Sequence, residues 1–446
     1  MKNDQSLRST PVSGQFSNLQ AKGDNRHFVF GYGLLVLAFV LVIGSMTALL
    51  MGGHLSGFAS QRNIAVQAHH PLTLSTSQTA PIPAPVEQNS ALVSQVNTLF
   101  TKQVKQDQFS GSVLIAQNGQ VLFKKGYGMA DWTHHISNTP HTKFHVGSLT
   151  KQFTAMALMI LQERGQLHVH DALCRYLPHC PAAWRPLTIH HLLTHTSGIP
   201  QLDDLHVSLA SVQAFLASYD GFPLSFAPGS QYNYCSICFQ ILGIVVQQAS
   251  GLPYSTFVQQ AILDPLHMHN SGFDVHYLSL PDHAVGYASW QVAADSLGWD
   301  VGPSMSFLDA SGLLYTTVED LYRWDQSFYA DTLVSQKTLD EIYTPYVASE
   351  FPSSDYGYGW FITKATSTHD PVFWHYGSID GFRAYIGRYP SEKVTIIVLS
   401  NLATEDIIAL AGAVEHTVFA SINTTESGAA GTRLCACTGP PGPPIP

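Results

Sequence analysis

Residues 144–151 read Phe144-His145-Val146-Gly147-Ser148-Leu149-Thr150-Lys151, and a strongly apolar helix from Phe153 to Leu161 follows, closing at Gly165 as a C-cap. Ser148 stands at the start of that helix. A spacing of three residues is a turn of about 300°, which brings the Lys151 amine back to the face bearing the Ser148 hydroxyl. The two groups can hydrogen-bond. A serine hydroxyl is a poor nucleophile until a base takes its proton, and a partly buried lysine with a lowered pKa can do so. Backbone N–H groups at a helix start also suit a developing oxyanion. A bare Ser-x-x-Lys also occurs at ordinary solvated helix starts, so its surroundings decide its meaning.

Outward from this stretch, residues 87–106 carry Leu92, Val93, Val96, Leu99 and Phe100 at helical spacing, after which the period changes to that of strands. Apolar runs at residues 112–116 and 121–123 flank Asn118-Gly119, whose easy positive φ suits a type I′ hairpin turn. Further strand-like runs lie at residues 372–375, 382–388 and 394–399, the last two joined through Pro390-Ser391-Glu392-Lys393. Helical or irregular segments fill the middle, and a last helix is expected over residues 405–419. Strands at both ends with helices between them predict an α+β domain. Its antiparallel sheet, assembled from the two ends and flanked by helices, would carry an inserted, mostly helical region, with the site between sheet and helices.

The segment Leu187-Thr188-Ile189-His190-His191-Leu192-Leu193-Thr194-His195-Thr196-Ser197-Gly198-Ile199 joins the Ser-x-x-Lys pair in an ordered series. Ala227-Pro228-Gly229 ahead of Tyr234, Pro265-Leu266, Gly312-Leu313 before Thr316-Thr317, and Tyr356-Gly357-Tyr358-Gly359-Trp360 continue it. In this order they resemble the serine β-lactamase and penicillin-binding-protein superfamily, particularly class C β-lactamase-related serine hydrolases, over about residues 87–420. The resemblance implies a β-lactamase/transpeptidase-like fold and an acyl-enzyme on Ser148, with Lys151 as base.

The family's Tyr-x-Asn motif falls on Tyr234-Cys235-Ser236, with the tyrosine retained and the asparagine replaced. A phenol beside Lys151 is expected to have its pKa lowered by that cation and to act as base or leaving-group acid. Ser236 can still hydrogen-bond, with one hydroxyl in place of a longer amide. The Lys-Thr-Gly motif falls on His375-Tyr376-Gly377. Gly377 would let backbone approach substrate, and the resemblance implies that the Ser378 N–H pairs with that of Ser148 as an oxyanion hole. A histidine of ordinary pKa is mostly neutral at pH 7, unlike lysine. Both changes remove groups suited to an acylamino carboxylate, so an ester or a specialised peptide becomes the better substrate expectation. A ligand sensor that binds without turnover is the alternative.

With 446 residues, 45% of them hydrophobic and 12% charged, the chain can bury a substantial core in one large two-lobed domain. A formal charge of -10 provides no basic stripe for a phosphate backbone, so no nucleic-acid partner is expected. Residues 28–51, from Phe28 to Met51, form a run of 24 without a charge. At about 1.5 Å per residue the run exceeds the roughly 30 Å of a bilayer core. It is too long for an ordinary signal-peptide core, and Lys2, Arg8, Lys22 and Arg26 precede it while only Arg62 follows closely. The expected layout is a cytoplasmic tail (1–27), a transmembrane signal-anchor helix (28–51), a Pro/Ser/Thr-rich linker (52–86), the extracytoplasmic hydrolase domain (87–420) and an unstructured tail (421–446).

Two histidine patterns suggest metal and neither is complete. His168-Val169-His170-Asp171 lacks further ligands at their spacing, and His191 to His195 has Leu192 where a zinc helix places glutamate. No metal or cofactor is expected, and surface or capping roles suit both. Among the cysteines, Cys174 and Cys180 flank a Pro-containing loop and suit a bridge, whereas Cys235 and Cys238 read as small buried residues.

Overall fold

The computed structural model describes residues 90–202, 208–273, 279–289, 292–294, 303–365 and 370–434. They belong to the second of the two units into which the chain divides, Ser77–Pro446. The expected membrane span, its cytoplasmic flank and the linker lie outside the described residues. Among those described, no single helix is long and apolar enough to cross a bilayer.

Helix α1 (Ser90–Lys105) buries Leu92, Val96 and Phe100, one stripe at four-residue spacing. Strands β1 (Gly111–Gln117) and β2 (Gln120–Tyr127) form the expected hairpin. Asn118 and Gly119 turn it with φ of 52° and 74°, the paired positive values of a type I′ turn. Short strands β3 (Met129–Asp131), β4 (Ile136–Ser137) and β5 (Phe144–His145) lead to a 3-10 turn, Gly147–Leu149, and helix α2 (Thr150–Glu163). The inserted region holds α3 (Ile189–Leu193), α4 (Val212–Ala217), α5 (Ser236–Ser250), α6 (Tyr254–Val258), β6 (Tyr287–Ser289), β7 (Val292–Ala293) and a 3-10 segment, Pro303–Ser311. After β8 (Tyr315–Thr316), α7 (Val318–Gln326) and α8 (Gln336–Ile342), the chain returns to the sheet. It does so through β9 (Val347–Ala348), β10 (Ser354–Tyr356), β11 (Phe361–Thr363), β12 (Val372–Ile379), β13 (Phe382–Tyr389) and β14 (Val394–Ser400), and ends in α9 (Ile407–Leu434).

The sheet has eight strands in the order β2-β1-β14-β13-β12-β11-β10-β9. Its pivot is the antiparallel pairing of β1 with β14, from Gly111 opposite Ser400 to Gln117 opposite Val394, which joins the two ends of the domain as expected. Both sheet faces are buried. Leu114, Ala384, Ile386, Ile397 and Leu399 face the inserted helices, whereas Val113, Ile115, Tyr385, Ile396 and Val398 face α1 and α9. Each fully buried aliphatic side chain contributes roughly 1.5–3 kcal/mol of transfer free energy. A buried ion pair ties α7 to the sheet: Arg388 Nε donates to Asp325 Oδ1 at 2.5 Å, and Thr395 Oγ1 donates to Asp325 Oδ2 at 2.6 Å.

Two expectations are corrected. Helix α9 continues to Leu434, past the Phe419 at which its end was expected. The Ser, Thr, Asn and Ala residues of that continuation carry helix penalties of about 0–0.7 kcal/mol each and Gly428 and Gly431 about 1 kcal/mol each, and with no proline among them no residue blocks propagation outright. Cys235 and Cys238 are not separate small buried residues: they form a disulfide, with Cα atoms 5.3 Å apart, because the first turn of α5 brings residues three apart together. The Cys174–Cys180 bridge is present as expected.

Candidate active site

The entry to α2 is fixed from both sides. Val146 N donates to Leu314 O at 3.0 Å, and the Thr150 hydroxyl donates to Gly147 O at 2.7 Å. From Thr142 to Leu161 every residue is buried except Ser148, so the chain offers a single accessible side chain along this run.

Lys151 is completely buried, and its Nζ lies 3.0 Å from Ser148 Oγ, as the helical spacing predicts. The same nitrogen lies 2.9 Å from the Ser311 carbonyl and 3.5 Å from Ser236 Oγ. Burial holds the Lys151 pKa down at about 7, because the ammonium form loses its hydration. Near neutral pH a large share is therefore free amine. The Ser311 carbonyl can only accept, so it takes one amine N–H and helps aim the lone pair elsewhere.

Tyr234 directly precedes the Cys235 N-cap of α5. Lys151 Nζ sits over the Tyr234 ring, 4.9 Å from its centroid. The expected lowering of the Tyr234 pKa does not hold. Burial pushes the phenol up, and a hydrogen bond to Ser148 only partly opposes it. The phenol is thus protonated at rest, placed to pass a proton rather than wait as a phenolate.

His375 is placed differently from the substrate contact expected of it. It is fully buried, its Nδ1 donates to the Tyr376 carbonyl at 2.6 Å, and its Nε2 lies 3.1 Å from the Tyr356 hydroxyl. Since the carbonyl can only accept, Nδ1 carries the proton and Nε2 accepts from Tyr356. Burial, with the nearby Lys151 charge, lowers its pKa to about 3. Both ring nitrogens are engaged within the protein, and the ring is neutral.

Gly377 and Ser378 pack against the turn that carries Ser148. Strand β11 pairs with Val372, Phe373 and Trp374 of β12, and among the described residues His375–Ile379 have no strand neighbour on that side. The 3-10 turn packs there. A Cβ on Gly377 would fall 1.8 Å from Val146 O and 3.1 Å from Ser148 N. A Cβ on Gly147, whose φ is 51°, would fall 2.7 Å from Ser378 N. The Ser148 and Ser378 amides therefore flank one contact between two glycines.

Three participants carry no signature in residue type alone: the Ser311 carbonyl, Tyr356 behind His375, and His195. His191 takes the expected capping role, sharing a capping box with Thr188 at α3. His195 does not. It is wholly buried, with its ring centroid 4.4 Å from that of Tyr234.

The constellation therefore offers an accessible hydroxyl, a buried amine beside it, a protonated phenol and two adjacent amides, the parts of an acyl-transfer site. The chain is 29% identical over 327 residues to the putative penicillin-binding protein PbpX of Bacillus subtilis, covering 73% of this chain and 78% of that one. It is 28% identical over 345 residues to penicillin-binding protein 4* of the same organism, covering 73% and 75%. Among solved structures, the octameric penicillin-binding protein homologue from Pyrococcus abyssi superposes with a TM-score of 0.63 at 27% identity, covering 72% of this chain and 75% of that one. The hydrolase EstCE1 shares the fold, with a TM-score of 0.61 at 18% identity over 73% of this chain and 99% of that one. The model of the Beta-lactamase family matches residues 96–416. That span includes every residue that builds the site, and the chain belongs to this family.

Proposed function

We propose that the chain is a serine hydrolase that cleaves an ester or amide through an acyl-enzyme on Ser148. The observation that carries this reading is the fully buried Lys151 amine 3.0 Å from Ser148 Oγ. As Ser148 Oγ bonds to the substrate's acyl carbon, its proton passes to the Lys151 lone pair, and the carbonyl oxygen takes up negative charge beside the Ser148 and Ser378 N–H groups. Collapse breaks the bond to the leaving group. Tyr234 gives that group its proton and is reprotonated from the Lys151 ammonium. Water then attacks the acyl-enzyme, Lys151 takes a proton from it, and the released Ser148 oxygen regains one as the acid departs.

His375, neutral and turned inward, provides no cation for a substrate carboxylate. This favours esters and uncharged amides over β-lactams and other carboxylate-bearing amides. We place the hydrolase unit outside the cytoplasm, anchored by residues 28–51. The uncharged run with its basic N-terminal flank supports the anchor, and two disulfides suit an oxidising compartment.

The test treats the full chain in detergent with a fluorophosphonate, then with p-nitrophenyl esters, D-amino-acid amides and nitrocefin. Labelling that disappears in Ser148→Ala, with turnover fastest on esters, is the expected result. Absence of labelling in the wild type would overturn the proposal, and labelling without turnover on any substrate would favour the sensor.

A further inference from the structure

We infer that His195 is a positioning residue for Tyr234, gripping the backbone on both sides of the tyrosine and backing its ring. The inference rests on the reading of Tyr234 as the proton carrier of the site. The His195 carbonyl accepts from Asn233 N at 2.9 Å, and the His195 Nδ1 accepts from Cys235 N at 3.0 Å. The residue before Tyr234 and the residue after it are thus bonded to one histidine. The imidazole also lies against the Tyr234 ring, with centroids 4.4 Å apart and planes tilted by 31°. Tyr356 and Phe239 pack on the same imidazole at 4.8 and 5.1 Å.

A purely structural role fits this residue poorly. His195 adopts a φ of 59°, a left-handed conformation that strains a non-glycine residue. Because Nδ1 accepts, Nε2 carries the hydrogen, and that buried Nε2 has no hydrogen-bond partner among the described residues. An unmet buried donor is a further cost to the folded state. An apolar residue would fill the same space without the unmet donor, and a glycine would take up the backbone conformation without strain. What only histidine supplies here is an acceptor for the Cys235 amide together with a flat face for the Tyr234 ring.

A displacement of the reacting group by about 1 Å can cost ~10²-fold in rate. The test compares His195→Ala, Tyr234→Phe, the double variant and His195→Asn in the full chain, with kcat per site counted by fluorophosphonate titration. On a p-nitrophenyl ester, H195A should lose roughly 10- to 100-fold in kcat with KM within about 2-fold, and H195A should add nothing to Y234F. Asparagine tolerates a left-handed φ and offers an acceptor near the Nδ1 position, so H195N should recover part of the loss. If H195A lowers kcat by the same factor with and without the Tyr234 hydroxyl, this inference alone fails. It also fails if H195A merely reduces the titrated sites and leaves kcat per site unchanged. A Y234F variant at the wild-type rate would overturn the reading of Tyr234, and this inference with it.

Discussion

At the scale of single residues, the chemistry turns on how burial acts on each titratable group. Lys151 is brought to about 7 by burial. Its active form is the free amine, so kcat/KM should climb about tenfold per pH unit below 7 and level off above it. The buried His375, at about 3, adds no step in that range. A pH profile of p-nitrophenyl ester turnover from pH 5 to 9 checks this, and an acid limb centred near the ordinary lysine value of about 10.4 would rule out a buried free-amine base. The spacing of Ser148 and Lys151 made their contact legible in the sequence, since helix geometry alone puts residues three apart together. The protonation of Tyr234 was not legible. It depends on desolvation by neighbours far away in the chain, and proximity to Lys151 alone pointed to the opposite direction of shift. Likewise, nothing in the identity of His195 distinguishes a surface cap from a ring packed on Tyr234.

Elements explain why the oxyanion side of the site has so little tolerance. Strand β12 lies against the 3-10 turn with a single hydrogen where Gly377 would carry a side chain, and even a Cβ there would meet Val146 O at 1.8 Å. Either the turn or the strand must move. Gly377→Ala should therefore cut fluorophosphonate labelling of Ser148 by at least ~10²-fold while the protein still melts cooperatively, since what is displaced is the pair of N–H donors rather than the core. Labelling at the wild-type rate would mean that the strand and the turn are not held as close as described. The hairpin at Asn118-Gly119 and strands β12 to β14 could be read from local pattern, because each has a turn residue or a long apolar run of its own. Strands β9 to β11 could not. They are two or three residues each, too short to show a period, and they become strands only because β12 presents an edge to pair with.

For the whole molecule, buried neutral imidazoles set the response to acid. Burial holds His145 and His190 down at about 4 and His375 at about 3, and it lowers His191 and His195 as well. In the unfolded chain each takes up a proton near pH 6.5, so the stability these residues contribute is present above that value and is lost as pH falls toward their folded pKa values. Three carboxyls act the other way. Burial holds Asp309 and Glu405 up at about 7 and raises Asp320, so between roughly pH 4 and 7 the folded state keeps protons that the unfolded chain releases. His190 and His191, and equally Asp309 and Glu405, are only partly buried and count for less through solvent screening, which leaves His145, His195 and His375 against Asp320 among the fully buried groups. The histidines still outnumber the opposing carboxyls, which leaves a net proton uptake on unfolding, with each net proton worth roughly 1.4 kcal/mol per pH unit. Scanning calorimetry at constant ionic strength should therefore record a Tm that falls steadily from pH 7 to pH 5. A Tm that stayed level or rose over that interval would mean that the buried carboxyls dominate and that the histidines around Tyr234 are not held neutral by the fold.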